Sequence, residues 1–254
     1  GAFAVGDAVR AGLKDIALAL LGSIQFALNS QTGFFRGDLA AAISNELHVP
    51  VAPVVLLSGT ASNNESRAAR VQVVGVDTRF WQLAPEPGSV QAAPEGDDVV
   101  ALNTGLAHAW GAQVGDEVVI HDDKPSLLSR DAPLSTVTDT TVALRLRVYA
   151  ILSNDQFGRF SLDANQIPPY NAFVPLSTLQ HKIAQADKAN VLLVGMHQSN
   201  PVVAADAVAA RGKRWQFAGG GLEVRECPRR NSTGTRTHRV DLGPAAGAPR
   251  REGR

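Results

Sequence analysis

The sequence predicts an α+β fold in which a long N-terminal helix packs on one or more mixed or antiparallel sheets, with room for two subdomains. Two patterns carry this prediction. Apolar residues recur every three or four positions through the first 30 residues, which is the period of a helix. After residue 50, short runs rich in β-branched residues alternate with polar turns, which is typical of strands in hairpin-like order.

The first predicted helix covers residues 3–30, and Gly33 separates it from a second helix predicted over residues 34–47. Asp38 can support the first turn of the second helix. Pro50 is expected to stop that helix, because the residue before a proline avoids helical geometry. The apolar face of the first helix consists of Val5, Val9, Leu13, Ile16, Leu20, Ile24 and Leu28.

Two strands are predicted next, over residues 51–58 and 70–76, and the polar residues 59–66 join them into a hairpin. A short helix over residues 78–83 carries the aromatic pair Phe80 and Trp81. Residues 84–97 contain three prolines and two glycines, which predicts a loop.

The second half of the chain continues the alternation. Asn103 is a suitable N-cap for a helix over residues 104–110, because its side chain can accept a hydrogen bond from an early amide. Val142, Leu144, Leu146 and Val148 recur at every second position, which is the period of a half-buried strand. A turn is predicted at 111–116, directly before a strand. The other predicted elements are strands at 98–102, 117–121, 140–152, 171–174, 190–195 and 222–226, and helices at 175–186 and 201–211.

The composition changes after Cys227. Residues 228–254 contain seven arginines and few large apolar side chains, so this tail is predicted to be mobile in isolation. The main domain is therefore expected over residues 1–227, with the long helix at 3–30 and an α+β body at 34–227.

The charge balance excludes several classes of protein. The chain has 24 Lys and Arg against 24 Asp and Glu, whereas nucleic-acid and anionic-membrane binding need a basic excess. Its single cysteine, Cys227, rules out an internal disulfide. No run of about 20 apolar residues predicts a membrane span, and the first 15 residues lack a signal-peptide pattern. The chain opens within a helical pattern, which suggests a piece cut from a longer protein.

Sequence motifs for catalysis and cofactor binding are missing. There is no nucleotide-binding P-loop, no nucleophile elbow and no metal-binding His-Glu-x-x-His helix. The histidines are scattered without the spacing of metal ligands, so we predict no catalytic, cofactor-binding or metal-binding residue. They are His48, His108, His121, His181, His197 and His238.

Two pairs of acids, Asp97-Asp98 and Asp122-Asp123, invite a catalytic interpretation. Neighbouring residues of a strand point to opposite faces, however, so adjacent acids make a poor general acid–base pair. The first pair is expected to lie at a strand end and the second in a loop. An enzyme built on His121, Asp122 and Asp123, with Cys227 nearby in space, is the weakest of the functions considered.

Other distinctive residues also have simpler explanations. The glycines at 219–221 precede a predicted strand and not a helix, which favours a flexible turn over a phosphate-binding loop. The pairs Arg229-Arg230 and Arg250-Arg251 are too short to predict more than a solvated tail. Trp81, Trp110 and Trp215 are too far apart in sequence to form a stacking platform, so each is expected to anchor a core.

An ordered set of short motifs nevertheless resembles one family. The first landmark is a strand with Val71, Val73, Gly75 and Val76, followed by the aromatic pair Phe80-Trp81. Four further landmarks come in the same order and spacing as in the extracytoplasmic core domain of MacB/FtsX-type ABC-transporter permeases. The resemblance covers roughly residues 50–195. The further landmarks are residues 99–111 (strand "V-x-L-N" and a small-residue helix), 115–120 ("G-D-x-V-x-I"), 146–152 (a long strand) and 171–180 ("N-x-F-V-P-L-x-x-L-Q").

The resemblance implies a domain on the extracytoplasmic, periplasmic side of the bacterial inner membrane, as part of an integral membrane protein. It implies no catalytic residues and no cofactor. The implied partners are a separate ATP-binding subunit or domain that this domain does not contact, membrane segments outside the chain, and a second permease protomer, but no nucleic acid. The implied function is mechanical: coupling ATP-driven movement of membrane helices to a substrate or partner outside the cytoplasm.

A different class of function stays open from the residues alone. The chain could be a free-standing soluble module that binds a carbohydrate or a peptide, and aromatic side chains in a cleft would support that alternative.

Overall fold

The computed structural model describes residues 21–30, 33–62, 67–90, 98–123, 141–162, 168–196, 222–226 and 237–240. They form a mixed sheet with short helices, which confirms the predicted α+β class. The helices are α1 (Asp38–Leu47), α2 (Thr78–Trp81), α3 (Thr104–Trp110) and α4 (Leu176–Lys182), with a 3-10 turn at Asn154–Gln156. The strands are β1 (Ile24–Ser30), β2 (Phe35–Arg36), β3 (Val51–Ser62), β4 (Arg67–Val76), β5 (Val99–Asn103), β6 (Glu117–Asp123), β7 (Thr141–Leu152), β8 (Tyr170–Pro175), β9 (Lys188–Ala189), β10 (Val191–Gly195), β11 (Leu222–Glu226) and β12 (Thr237–Val240).

Ten of these strands form one sheet in the order β12-β11-β1-β10-β3-β4-β8-β5-β7-β6. The long strand β3 takes part twice, because its first half pairs with β10 and its second half with β4 and β6. The β3–β6 pairing joins the end of the sheet back to β3, so β3, β4, β8, β5, β7 and β6 close a six-stranded barrel. The β4–β8 and β5–β7 pairings are parallel, and the other four barrel pairings are antiparallel.

Side-chain alternation along β7 builds the interior of the barrel. Leu144, Leu146 and Val148 are buried in the barrel core, whereas Arg145 and Arg147 between them are exposed, as the period of two predicts. Each aliphatic side chain fully buried in this way stabilises the fold by about 1.5–3 kcal/mol. Helices α3 and α4 add Leu106, Trp110, Leu176 and Leu179 to the same core.

Two further cores cover the outside of the sheet. An aromatic cluster around Phe80 packs against the outer side of β4 and β8. On the flanking part of the sheet, α1 covers β1 and β10 through Leu39 and Ile43, which are buried with Phe26 and Leu28. The sheet is thus covered by apolar side chains from both faces near β1 and β10.

Two predicted local structures are confirmed in atomic detail. Asn103 caps α3, since its Oδ1 accepts a hydrogen bond from the Leu106 amide at 3.0 Å. The turn before β6 depends on Gly115, whose φ of +102° disfavours residues with a side chain. Asp116 closes this turn by accepting a hydrogen bond from the Gln113 amide at 2.8 Å.

The prediction of a helix over residues 3–30 is wrong for residues 24–30, which form β1; residues 1–20 lie outside the described part. Helical backbone at Leu21 gives way to a turn at Gly22, whose φ is +54°. β1 then pairs with β10 on one side and β11 on the other. Apolar residues at 24, 26, 27 and 28 satisfy the period of a strand as well as that of a helix, and pairing on both edges favours the strand.

The second predicted helix, over residues 34–47, begins four residues late. Phe35–Arg36 instead pairs with Lys188–Ala189 as the small two-stranded sheet β2–β9, and the helix starts at Asp38. The strand character of these two residues was not predicted, because their pairing partner lies more than 150 positions away in the sequence and leaves no pattern in the residues nearby. The predicted acidic first turn and the end of the helix at His48 are both confirmed.

The remaining elements agree with their predictions to within a few residues. The hairpin of β3 and β4 is antiparallel as expected, although β3 extends into the predicted loop to Ser62. β6 likewise extends through Asp123, and α4 is shorter than the predicted helix at 175–186. The 3-10 turn at Asn154–Gln156 lies in a segment for which no regular structure was predicted.

The C-terminal part is described only in β11 and β12. β11 confirms the strand predicted at 222–226, and β12 pairs with it inside the tail, where no strand was predicted. The helix predicted at 201–211, the glycines at 219–221 and the rest of the tail lie outside the described residues. In the described ranges, no helix is both long and apolar enough to cross a bilayer.

Candidate functional site

A cleft of about 690 Å³ opens at the ends of β4 and β8. These strands are parallel neighbours, so their carboxyl ends meet at the same edge of the barrel, and each continues into a short helix. The walls of the cleft come from the start of α1, Pro53 of β3, the first turn of α2, the junction of β8 with α4, Tyr149 of β7 and residues 186–188.

Trp81 lies at the base of this cleft and is 7% exposed. Its ring centroid is 5.0 Å from that of Phe80 in an edge-to-face arrangement and 5.4 Å from that of Phe173. Phe80 in turn contacts Phe157 and Phe160. These aromatic neighbours hold the indole in place, so the base of the cleft is apolar and preformed.

Gly75 allows helix α4 to approach the barrel closely enough to form one wall. A Cβ atom at this position would lie 2.8 Å from Leu179 Cδ2 and 3.2 Å from Val55 Cβ. A residue with a Cβ atom would require the buried Leu179 side chain to move, so glycine permits the close packing of α4 on β4. The glycine of the first family landmark thus has a packing role in this fold.

Two arginine–aspartate pairs lie on the rim of the cleft. The Arg79 guanidinium donates to Asp77 Oδ2 from Nε at 2.8 Å and from Nη2 at 2.6 Å, and the Arg79 amide donates to Oδ1 at 2.9 Å. The same carboxylate caps α2. Arg36 and Asp38 form a second, more exposed pair. Because each pair is internally neutralised, the rim has charged groups but little net field.

Tyr149 projects into the cleft from β7 and is half-buried. Burial raises the pKa of its phenol from 10.0 to about 12, since the low-dielectric surroundings disfavour the phenolate. Its hydroxyl therefore stays protonated at neutral pH and can both donate and accept a hydrogen bond.

The same pKa shift predicts a loss of stability at alkaline pH. Between pH 10 and 12 the unfolded chain releases the Tyr149 proton while the folded chain keeps it, so the free energy of unfolding decreases as pH rises. By pH 11 the loss is about 1 kcal/mol. Urea denaturation at pH 9 and pH 11 should show a smaller loss for Tyr149→Phe than for the wild-type chain. Tyr170→Phe is the matched control, and an equal loss in all three proteins would contradict the prediction.

A buried asparagine network fixes the end of β5 and the start of β8. Asn171 Nδ2 donates to the carbonyls of Gly158 at 3.1 Å and Phe160 at 2.8 Å, and Asn103 Nδ2 donates to Gly158 and Pro169. The loop that carries Phe157 and Phe160 is thus tied to the barrel by hydrogen bonds. This network is structural, because its amide groups are used within the fold.

The structure separates the acids that invited a catalytic interpretation. Asp98 is exposed and its carboxylate accepts a hydrogen bond from Lys182 Nζ at 2.8 Å, away from the cleft, while Asp97 lies outside the described residues. Asp122 and Asp123 end β6, where the register places Asp122 opposite Gly59 of β3. The weakest alternative, an enzyme in which His121 lies near Cys227, involves a cysteine beyond the described ranges.

The described histidines lie apart from one another. His48, His108 and His181 are exposed, and His121 is half-buried on β6. Within the part of the chain that the structure describes, no three His, Cys, Asp or Glu residues are close enough to hold a metal ion. His197 lies outside those ranges, and nothing is described of the His238 side chain.

Core anchoring is confirmed for two of the three tryptophans, because Trp81 and Trp110 are both at most 7% exposed. Trp215, both arginine pairs of the tail and the glycines at 219–221 lie outside the described residues. The sequence analysis missed the cleft itself. Its lining comes from six separate segments, and the only local signal was the Asp77–Arg79 couple directly after a predicted strand.

Comparison with known proteins identifies the family to which this chain is similar. The family model described as "MacB-like periplasmic core domain" matches residues 1–212. A search of curated proteins found no match. Among solved structures, the periplasmic region of MacB from Actinobacillus actinomycetemcomitans has 14% identity and a TM-score of 0.48, covering 76% of this chain and 83% of that one. The extracellular domain of the noncanonic ABC-type transporter YknZ from Gram-positive bacteria has 10% identity and a TM-score of 0.45, covering 73% and 88%.

The family match extends over most of the chain and includes all five landmarks found in the sequence, from residue 71 to residue 180. The predicted extracytoplasmic location in a membrane permease is confirmed on the same ground. The chain therefore belongs to the family of MacB-like periplasmic core domains of ABC-transporter permeases.

Proposed function

We propose that this domain couples ATP-driven movement of the membrane helices of its permease to a substrate or partner outside the cytoplasm, without catalysing a reaction itself. ATP is bound and hydrolysed by a separate subunit or domain that this domain does not contact, and membrane segments outside the chain connect the two. The proposal allows for a second permease protomer as a partner.

The observation that carries this proposal is the position at which the chain enters β1 and leaves β10 in the flanking part of the sheet. β1 is antiparallel to β10, and the register places Ile24, at the start of β1, opposite Gly195, at the end of β10. The Met196 amide donates to the Ser23 carbonyl at 2.9 Å, which continues this pairing beyond both strands. β11 also ends on this side, with Glu226 opposite Phe26. The start of β1 and the ends of β10 and β11 therefore lie side by side at one end of the sheet, whereas β12 ends at the opposite end, with Val240 opposite Leu222.

This arrangement supports a mechanical role because a displacement applied there has a continuous route into the body. β1 is bonded to β10, β10 to β3, and β3 to the barrel. The same end is fastened to the loop after α2, since the Ser23 amide donates to the Leu83 carbonyl at 2.9 Å. A close-packed, hydrogen-bonded sheet has low compressibility, so it moves as a unit when one end is moved.

The chemistry of the cleft supports a non-catalytic role. The Asp77 carboxylate is engaged through both oxygens by Arg79, and the Tyr149 phenol keeps its proton at neutral pH. The phenol is therefore not poised to exchange a proton in the neutral range, where general acids and bases operate.

The test uses the full-length protein with its ATPase in lipid nanodiscs. We expect hydrogen exchange of the amides in β1 and β10 to change when the ATPase is trapped with vanadate. A four-glycine insertion between Leu20 and Leu21 should abolish that change while ATP hydrolysis continues, because a flexible linker cannot transmit displacement.

The matched control is the same insertion between Pro87 and Gly88, in a described turn with exposed side chains. This variant should keep the vanadate-dependent change. Unaltered exchange in the wild-type protein, or a change that survives the insertion at Leu20, would contradict the proposal. So would recovery of the full-length protein in the supernatant after ultracentrifugation of lysed cells.

A further inference from the structure

We infer that the cleft at the ends of β4 and β8 is a binding site for an uncharged amphiphilic small molecule, with an apolar body and a few neutral hydrogen-bonding groups. This inference does not depend on the mechanical role, because it concerns binding to the domain alone. It rests on three observations: the volume and apolar base of the cleft, the ion pairs among its charged side chains, and the hydrogen bonding of its strands to neighbouring strands.

The volume and the base of the cleft fit an apolar body. About 690 Å³ lies within the range of sites that enclose drug-sized molecules, roughly 300–1,000 Å³. Trp81 forms the base together with Pro53, Val76 and Pro175, and the aromatic cluster beneath holds it rigidly. A preformed apolar base binds without first having to be ordered, which favours affinity.

The charges of the cleft argue for a neutral ligand. Among the described residues, three acidic and three basic side chains line it, so the formal charges of these six sum to zero. Arg79 is bonded to Asp77, Arg36 to Asp38, and Lys188 Nζ donates to Gln185 Oε1 at 3.0 Å. Arg36, Asp38, Asp77 and Arg79 are thus engaged with one another, so a charged ligand that left water to bind them would have to displace an existing ion pair, which costs free energy. The six residues are Arg36, Asp38, Asp77, Arg79, Asp187 and Lys188.

Neutral polar groups have partners in the same cleft. The Tyr149 hydroxyl and the exposed Ser177 hydroxyl can each donate to or accept from an alcohol, ether or amide. Gln180 Nε2 is used in a hydrogen bond to the Lys188 carbonyl at 2.6 Å. A ligand with a few such groups around an apolar body would satisfy these side chains.

The bonding of the strands favours a small molecule over an extended peptide. The long strands that line the cleft, β3, β4, β7 and β8, each have neighbours on both sides. None of them offers a free edge along which a peptide could add as a further strand, which is how many extended peptides gain affinity. Recognition in the cleft must therefore depend on side chains.

The test is titration of the 254-residue chain with Nile red, an uncharged apolar fluorophore. We expect saturable binding with an increase in fluorescence. Ala41→Phe on α1 and Ser177→Phe on α4 each place a large side chain in the cleft from an exposed lining position, and each should weaken binding about tenfold or more. Asn45→Phe is the matched control, because Asn45 is exposed on α1 without lining the cleft, and it should bind as the wild-type chain does.

Competition then tests the charge argument. Decyl maltoside, decyl sulfate and decyltrimethylammonium share a ten-carbon chain and differ in head-group charge; each is used below its critical micelle concentration. We expect decyl maltoside to displace Nile red at the lowest concentration. Equal or better displacement by a charged detergent would overturn the neutral ligand class. Absence of saturable binding, or binding that both cleft-filling variants leave unchanged while they melt as the wild-type chain does, would overturn the site.

Discussion

Replacing Gly22 with alanine should destabilise the domain by about 3 kcal/mol or more, for two separate reasons. The φ of +54° at Gly22 is unfavourable for a residue with a Cβ atom. In addition, that Cβ would lie 2.2 Å from the Leu83 carbonyl oxygen and 2.9 Å from backbone atoms of Ala84 and Pro85. These contacts are with backbone, so they cannot be relieved by rotating a side chain.

Urea denaturation of the 254-residue chain measures this effect, and Gly111→Ala separates its two causes. Gly111 has a similar φ of +63°, but a Cβ there would meet no atom within 4 Å. We expect Gly111→Ala to cost about 1 kcal/mol, the backbone contribution alone. If Gly22→Ala lowered the free energy of unfolding no more than Gly111→Ala does, the inferred close contact between Gly22 and the loop after α2 would be contradicted.

The result also bears on the proposed mechanism. Gly22 and Ser23 lie where the chain turns into β1, and Ser23 bonds to both Leu83 and Met196. A destabilised turn here should loosen the attachment of the incoming segment. In the full-length permease, Gly22→Ala is therefore expected to weaken the vanadate-dependent change in exchange, and Gly111→Ala is not.

The second large effect is expected for Phe80→Ala, which should lower the free energy of unfolding by about 3–5 kcal/mol. Phe80 is fully buried, and its ring lies 4.9 Å from that of Phe157, 5.2 Å from that of Phe160 and 5.9 Å from that of Phe173. Its removal deletes one ring from four aromatic pairs and leaves a cavity beneath Trp81.

Two variants control for this prediction. Phe80→Leu keeps most of the volume and should cost roughly 1–1.5 kcal/mol. Phe34→Ala removes the same atoms from a half-buried position and should cost less than Phe80→Ala. Chemical denaturation followed by circular dichroism gives all three values. A loss below about 1.5 kcal/mol for Phe80→Ala would show that the aromatic cluster is not the core of this face.

Local patterns predicted the parts of the fold that depend on near neighbours. The alternation along β7, the Asn103 cap and the Gly115-Asp116 turn are all confirmed, because each needs only residues within a few positions of one another. The family resemblance belongs with them: its landmarks are strand and turn sequences of this kind, and the family model confirms it.

Long-range pairing explains the failures. Ile24–Ser30 has apolar residues at helical spacing, and only its position between β10 and β11, more than 160 residues away in the sequence, makes it a strand. Phe35–Arg36 needs Lys188–Ala189 in the same way. The β3–β6 contact that closes the barrel joins residues 59–62, which were predicted to be loop, to the strand predicted at 117–121.

The sequence by itself therefore determined the α+β class, most strand positions, the capped turns and the family. These follow from backbone preference and side-chain period, which act over a few residues. Only the tertiary structure decided the closed barrel, the strand character of residues 24–30 and the cleft beside Trp81. Each of these requires segments that are distant in the chain to meet, and the parallel pairing of β4 with β8 brings the walls of the cleft together without a signal in either strand.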